Sequence, residues 1–169
     1  MTNSKIKPSQ IIYWAFIFFI SFSMIIYGIL KPLQFENFTN STNIGVSQGH
    51  KLMWTFYSYN KLYPIIIGVL EILGGVTIIF NRTRIIGYII LFTILININL
   101  QNYFFEIKAL STSMLYLIIL TLLFCFDFKK IKNIFRIILE KQDNFRNYKI
   151  ILISIILAII LKVLEIRIL

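Results

Sequence analysis

Five continuous apolar segments, separated by polar connections, dominate the hydrophobic pattern of the chain. The first four hold 16 to 20 residues each, about the length an α-helix needs to cross a hydrocarbon core about 30 Å thick. Because these runs are continuous rather than alternating, the pattern favours membrane helices over the strands of a β-barrel. The predicted helices are Ile11–Leu30, Tyr63–Phe80, Arg84–Tyr103, Ser111–Phe126 and Tyr148–Leu169.

The connections between these segments predict how the helices are joined. Lys31-Pro32 is expected to end the first helix, because proline lacks an amide donor and restricts the residue before it. The tight turn before Arg84 makes the second and third helices antiparallel neighbours. Gln34 to Leu62 is predicted to be a long, mostly polar loop, with His50 in solvent.

The C-terminal part follows the four spans and contains an amphipathic segment and a last apolar segment. Ile131, Ile134, Phe135 and Ile138 recur at helical spacing among basic residues, which predicts an amphipathic helix held at the cytoplasmic interface by anionic lipid head groups. The last segment carries Lys162, Glu165 and Arg167 near its end. We expect it to cross the membrane with its basic side chains snorkelling, and an interfacial helix is the alternative.

The predicted fold class is therefore an all-α membrane protein: an antiparallel four-helix transmembrane bundle followed by an interfacial helix and a fifth transmembrane helix. The predicted domains are residues 1–132 and 133–169.

Composition supports a membrane environment. Of 169 residues, 58% are hydrophobic and only 14% charged, whereas soluble domains have about 25% charged residues. The net charge of +10 comes from basic residues between the apolar runs, which indicates a membrane protein rather than a nucleic-acid-binding one. With one cysteine and one histidine, we expect no disulfide, no metal site and no cofactor held by this chain alone.

The distribution of lysine and arginine predicts the orientation. Eleven of these residues fall on one side of the predicted helices and five on the other. Cytoplasmic loops carry the excess of basic residues, so the N-terminus is expected in the cytoplasm.

Glu71 is the most conspicuous polar residue, because it lies inside the second predicted span. A charged carboxylate at that depth is costly unless it faces a partner, water or the bundle interior. Gly68 and Gly75 share its helical face, which would let a second backbone approach closely. The residue is either a ligand- or proton-binding acid or a carboxyl group that only joins two helices.

A second polar group ends the third predicted span. Asn99, Asn102 and Glu106 share one helical face, and Lys108 follows closely. Their functional interpretation is a polar cavity at the outer end of the bundle, and the structural alternative is hydrogen bonding between helices. The candidate ligand-binding residues are thus Glu71, Asn99, Asn102, Glu106 and Lys108.

Several elements resemble the DoxX-like family of small membrane proteins over roughly residues 11 to 132, about three quarters of the chain. They are Tyr27–Lys31, Tyr57–Tyr63, Glu71–Gly75, the hairpin Phe80–Gly87, Asn97–Asn102, Glu106–Lys108, Ser111 and Asp127. Two departures are Glu106, where relatives commonly have Asp, and the tail from about Ile134 onward.

The resemblance implies a four-helix bundle in the bacterial cytoplasmic membrane and says little about activity. The family takes its name from a subunit associated with thiosulfate:quinone oxidoreduction. The leading hypothesis is a subunit that binds a quinone or lipid-like molecule around Glu71, without catalytic activity of its own. The alternatives are a structural or assembly subunit that contacts other membrane subunits, and a small proton-coupled transporter.

Overall fold

The computed structural model describes residues 7–35, 45–139 and 148–168. Within these ranges the chain forms seven α-helices and no strand, so the predicted all-α class is confirmed. The helices are α1 (Pro8–Gln34), α2 (Gln48–Tyr59), α3 (Leu62–Ile79), α4 (Arg84–Phe104), α5 (Leu110–Phe126), α6 (Phe128–Leu139) and α7 (Tyr148–Ile168).

Three of these helices, α1, α3 and α4, are long and apolar enough to cross a membrane. α5 has 17 residues and counts as a fourth candidate only together with the start of α6. These helices are those expected of a multi-pass membrane protein. α7 is helical, as predicted, but three charged residues fall in every 18-residue stretch of it, and its crossing stays a prediction.

The chain divides into two compact units, residues 1–128 and 129–169. The boundary predicted from the sequence, between residues 132 and 133, falls inside α6. The amphipathic helix predicted there is present as α6, while its position at a membrane interface stays a prediction.

The first unit is built around α1, α3, α4 and α5. α1 packs along α3, α3 on α4, α4 on α5, and α5 on α1, so each helix has two neighbours in the ring. The turn at residues 80–83 joins α3 to α4 as neighbours, as the sequence predicted.

Backbone meets backbone where α1 crosses α3. Gly28 faces Gly68 so closely that a Cβ on either residue would collide with the backbone carbonyl oxygen of the other. Further along, Gly75 packs on the backbone of Ser21. The small face of α3 predicted to accept a second backbone therefore does so, and that backbone belongs to α1.

Two expectations about the segment between the first two spans were wrong. α1 does not end at Lys31 but continues to Gln34 with Pro32 inside it. A proline removes one backbone hydrogen bond, and burial of Lys31 and Phe35 beside it keeps this last turn in place.

The predicted long loop contains a helix, α2. Ser47 caps its N-terminus by accepting a hydrogen bond from the backbone amide of His50, which satisfies one of the amides left free at a helix start. The Met53 and Tyr57 side chains, one turn apart, are buried. His50 is therefore a helical residue rather than a solvated loop residue. The remaining part of that predicted loop, residues 36–44, lies outside the described residues.

A buried arginine holds the other end of the first unit together. The Arg84 guanidinium donates to the carbonyl oxygens of Ile78 and Ile79 at the end of α3 and to the Tyr13 hydroxyl of α1. Tyr13 and Tyr88 both donate to the Asp127 carboxylate at 2.8 Å. This cluster links α1, α3 and α4 to the residue that follows α5, and it satisfies carbonyl groups that a helix end leaves free.

We predict that Gly68→Ala lowers the stability of the protein by about 1–3 kcal/mol, because the new methyl group forces α1 and α3 apart. In a helix without a close neighbour, glycine to alanine would instead raise the stability by up to about 1 kcal/mol. The sign of the change in stability therefore tests the close crossing. The measurement is reversible unfolding in detergent. Val69→Ala, at an exposed neighbouring position, serves as the control, and a stabilised Gly68→Ala variant would contradict the close crossing.

Candidate functional site

A cavity of about 480 Å³ lies in the first unit, between the crossing of α1 with α3 and the ends of α4 and α5. Its size falls in the range of small-molecule sites, about 300–1,000 Å³. Most of its wall is apolar or aromatic. The polar members of the wall are Lys31, Gln34, Glu71, Gln101, Asn102, Thr112 and Ser113, together with the hydroxyl groups of Tyr27, Tyr57 and Tyr116.

A buried ion pair lies in this wall. The Lys31 Nζ is 2.7 Å from Glu71 Oε1, and the two residues are only 9% and 1% exposed. Each charged residue stands three positions after the glycine of its helix, Gly28 or Gly68. Because helical side chains lean toward their own N-terminus, the lysine and the carboxylate of these antiparallel helices reach each other across the crossing.

Such a pair contributes little net stability, because removing two charges from water costs about as much as their attraction returns. It does fix which two helices meet, since either charge alone would be strongly unfavourable there. One carboxylate oxygen, Glu71 Oε2, is buried and accepts no hydrogen bond from the described residues.

An amide and hydroxyl network forms the opposite wall between α4 and α5. Asn102 donates through Nδ2 to Ser113 Oγ at 2.9 Å. The Ser113 hydroxyl lies 3.0 Å from both Asn99 Oδ1 and the Leu110 carbonyl oxygen. Asn99 donates through Nδ2 to the carbonyl oxygens of Leu95 and Ser113. The network thus couples the end of α4 to the start of α5.

α2 covers the cavity on its remaining side. The Tyr57 hydroxyl donates to Gln101 Oε1 at 2.7 Å, and Gln101 Nε2 donates in turn to Asn97. The Tyr57 ring stacks on Phe35 with ring centroids 4.5 Å apart. Burial raises the pKa of the Tyr57 hydroxyl to about 12, so this group remains a donor at neutral pH.

The N-terminal half of α2 is held at the turn after α4. Gly49 lies directly against the backbone of Phe105. His50 stacks on Trp54 with ring centroids 3.9 Å apart. Burial, followed by the positive charge of Lys108, lowers the pKa of the His50 imidazole from its ordinary value of 6.5.

The structure brings only part of the predicted site together. Glu71 and Asn102 line the cavity. Asn99 does not line the cavity, but it contacts Ser113, which in turn accepts a hydrogen bond from Asn102. Glu106 and Lys108 are exposed in the turn between α4 and α5 and do not line the cavity. Glu106 has a positive φ of 54°, which suits a turn.

Sequence reasoning missed Lys31, Gln101 and Tyr57 as members of the site. The predicted first helix ends at Leu30 because of Pro32, which leaves Lys31 outside the helix. A usable signal was present: Gly28 precedes Lys31 by the same three positions as Gly68 precedes Glu71. Among the described residues no group of three His, Cys, Asp or Glu side chains is placed to hold a metal ion.

Comparison with known proteins shows similarity to the "Uncharacterized protein YwoB" of Bacillus subtilis (strain 168). It is 32% identical over 120 residues, which cover 70% of this chain and 78% of YwoB. The chain belongs to the family of YwoB. No protein-family model matches the chain, and no solved structure matches it significantly.

We predict that Lys31→Met destabilises the protein by about 3–5 kcal/mol, because Glu71 is left buried without its cation. The double variant Lys31→Met, Glu71→Leu recovers most of this loss, since neither charge remains. Chemical unfolding in detergent measures both, and Lys51→Met, at an exposed position of α2, is the control. A double variant no more stable than Lys31→Met would contradict the coupling.

We also predict that acidification loosens α2. Because the folded state lowers the pKa of His50, the neutral imidazole stabilises the packing fully above pH 6.5, and this contribution is lost as the pH falls below that value. In a Trp14→Phe background, Trp54 fluorescence should change with a midpoint below 6.5. His50→Gln should remove the transition, and a midpoint above 6.5 would contradict the packing.

Proposed function

We propose that this protein is a multi-pass protein of the bacterial cytoplasmic membrane that binds one amphipathic molecule, such as a quinone or a lipid. The observation that carries the proposal is a largely apolar cavity of about 480 Å³ with the buried Lys31–Glu71 pair in its wall. Binding, rather than catalysis, is the proposed activity.

The composition of the wall supports an amphipathic ligand. Side chains such as Met24, Leu30 and Leu95 offer an apolar surface to a tail or ring. A small number of polar groups in an otherwise apolar cavity is the usual arrangement for fixing the orientation of a small molecule. The unpaired Glu71 Oε2 is a buried polar atom that a ligand head group could satisfy.

The proposed arrangement in the membrane is an antiparallel bundle of α1, α3, α4 and α5 with the N-terminus in the cytoplasm. The basic residues of the α3–α4 turn, Arg82 and Arg84, and those that follow α5 support this orientation. Under it, the cavity lies toward the outer side and beneath α2. A ligand with an apolar tail would then enter from the outer part of the bilayer.

Membership in the DoxX-like family is part of this proposal. It rests on the resemblance of the Tyr57–Tyr63, Glu71–Gly75 and Asn97–Asn102 elements, all of which contribute to the cavity wall or its supports. The family's association with quinone chemistry favours a quinone among amphipathic ligands.

A structural or assembly role is the second candidate, and it too has a specific observation in its favour. The Asn99–Ser113–Asn102 network connects α4 to α5, and the ion pair connects α1 to α3, both without a ligand. If these contacts serve packing alone, the cavity holds no specific molecule.

Native mass spectrometry of the protein in lipid nanodiscs tests the proposal. We expect a defined small-molecule adduct on the wild type that falls at least tenfold in a still-folded Glu71→Gln variant. Glu165→Gln makes the same chemical change at an exposed residue of α7 and should keep the adduct.

The other outcomes separate the two candidates. A wild type without any adduct would support the structural role. An adduct that Glu71→Gln retains in full would show that the molecule does not bind at the ion pair.

A further inference from the structure

The hydrogen-bonding groups in the cavity wall determine which kind of head group can bind there, and this inference rests on the proposed function. The first constraint is charge. Lys31 and Glu71 neutralise each other at 2.7 Å, so the wall has no net charge to offer. An anionic head would take Lys31 from Glu71, a cationic head would do the reverse, and either would leave a buried charge unpaired.

The second constraint is that Asn102 and Gln101 each already direct one of their two amide N–H groups to an acceptor in the protein. Asn102 Nδ2 donates to Ser113, and Gln101 Nε2 donates to Asn97. One N–H of each of these two amides is therefore unavailable to a ligand.

The oxygens of the wall groups still have lone pairs that can accept a hydrogen bond. Among the described residues, no donor is hydrogen-bonded to Asn102 Oδ1 or to Glu71 Oε2. Gln101 Oε1 accepts from Tyr57 alone and has a second lone pair. Lys31 keeps N–H groups beyond the one directed at Glu71, so the wall can also donate.

We infer that the cavity selects a neutral amphipathic molecule whose head carries a hydroxyl group, an alcohol or a phenol, so that of a quinone only the reduced, hydroxyl-bearing form fits. Its O–H donates to Asn102 Oδ1, while its oxygen accepts from Lys31. A carbonyl or ether head of the same shape can accept from Lys31 but has no hydrogen to donate, so Asn102 Oδ1 stays unpaired, which is unfavourable in a buried site.

A matched pair of probes tests this inference on the wild type: 4-heptylphenol and its methyl ether, 4-heptylanisole. Titrations of the full chain in nanodiscs are followed by native mass spectrometry and corrected for partitioning into empty nanodiscs. We expect the phenol to bind about tenfold more tightly than the ether. The carboxylate analogue, 4-heptylbenzoate, should bind at least as weakly as the ether.

The results distinguish this inference from the proposed function. Equal affinity for phenol and ether, or a benzoate that binds as tightly as the phenol, overturns the inference and leaves the ligand site in place. Failure of all three probes to bind overturns both.

Asn102→Leu then locates the effect. Removal of this acceptor should lower the preference for the phenol to about twofold or less. Thr93→Val is the matched control, because Thr93 is exposed on α4 and its hydroxyl donates to the Ile89 carbonyl oxygen. Thr93→Val should keep the tenfold preference. A full preference in a folded Asn102→Leu variant would exclude Asn102 as the acceptor.

Discussion

The close crossing of α1 and α3 is the contact on which the other features of the first unit depend. Two glycines, Gly28 and Gly68, allow the backbones to touch. The same approach brings Lys31 to Glu71, one turn further along each helix. A larger residue at either glycine would separate the helices and also the two charges, so packing and electrostatics are coupled at this one place.

The cavity lies at the end of the unit where α1 crosses α3. A second polar cluster holds the opposite end of the unit together. Arg84 closes the end of α3 and joins it to α1 and α4. At the cavity end, α4 and α5 are connected through Ser113 and its two asparagine partners. α2 then covers the space between them through Tyr57. The chain thereby surrounds an apolar cavity with a few polar groups in fixed orientation, which is the arrangement that ligand binding requires.

The hydrogen-bond directions within that wall, and not the residue types alone, decide what the wall can offer to a ligand. Asparagine and glutamine can donate or accept equally well as isolated groups. Here one N–H of each is bound, to Ser113 or Asn97, and the side-chain oxygens keep lone pairs that can accept a hydrogen bond. Similarly, the Glu71 carboxylate is not a free charge, because Lys31 neutralises it. The site that results is neutral and rich in acceptors.

The sequence by itself determined the long apolar helices and singled out Glu71, because continuous apolar runs and a carboxylate within one of them are local features of the chain. It also indicated Asn102 and the small face of α3. Only the tertiary structure decided which residues meet these groups. Lys31 and Glu71 are 40 positions apart, and α2 is too short to be recognised by its own hydrophobicity. Glu106 and Lys108 lie next to the site in the chain but outside it in space, because a partner across a helix crossing is set by packing and not by sequence distance.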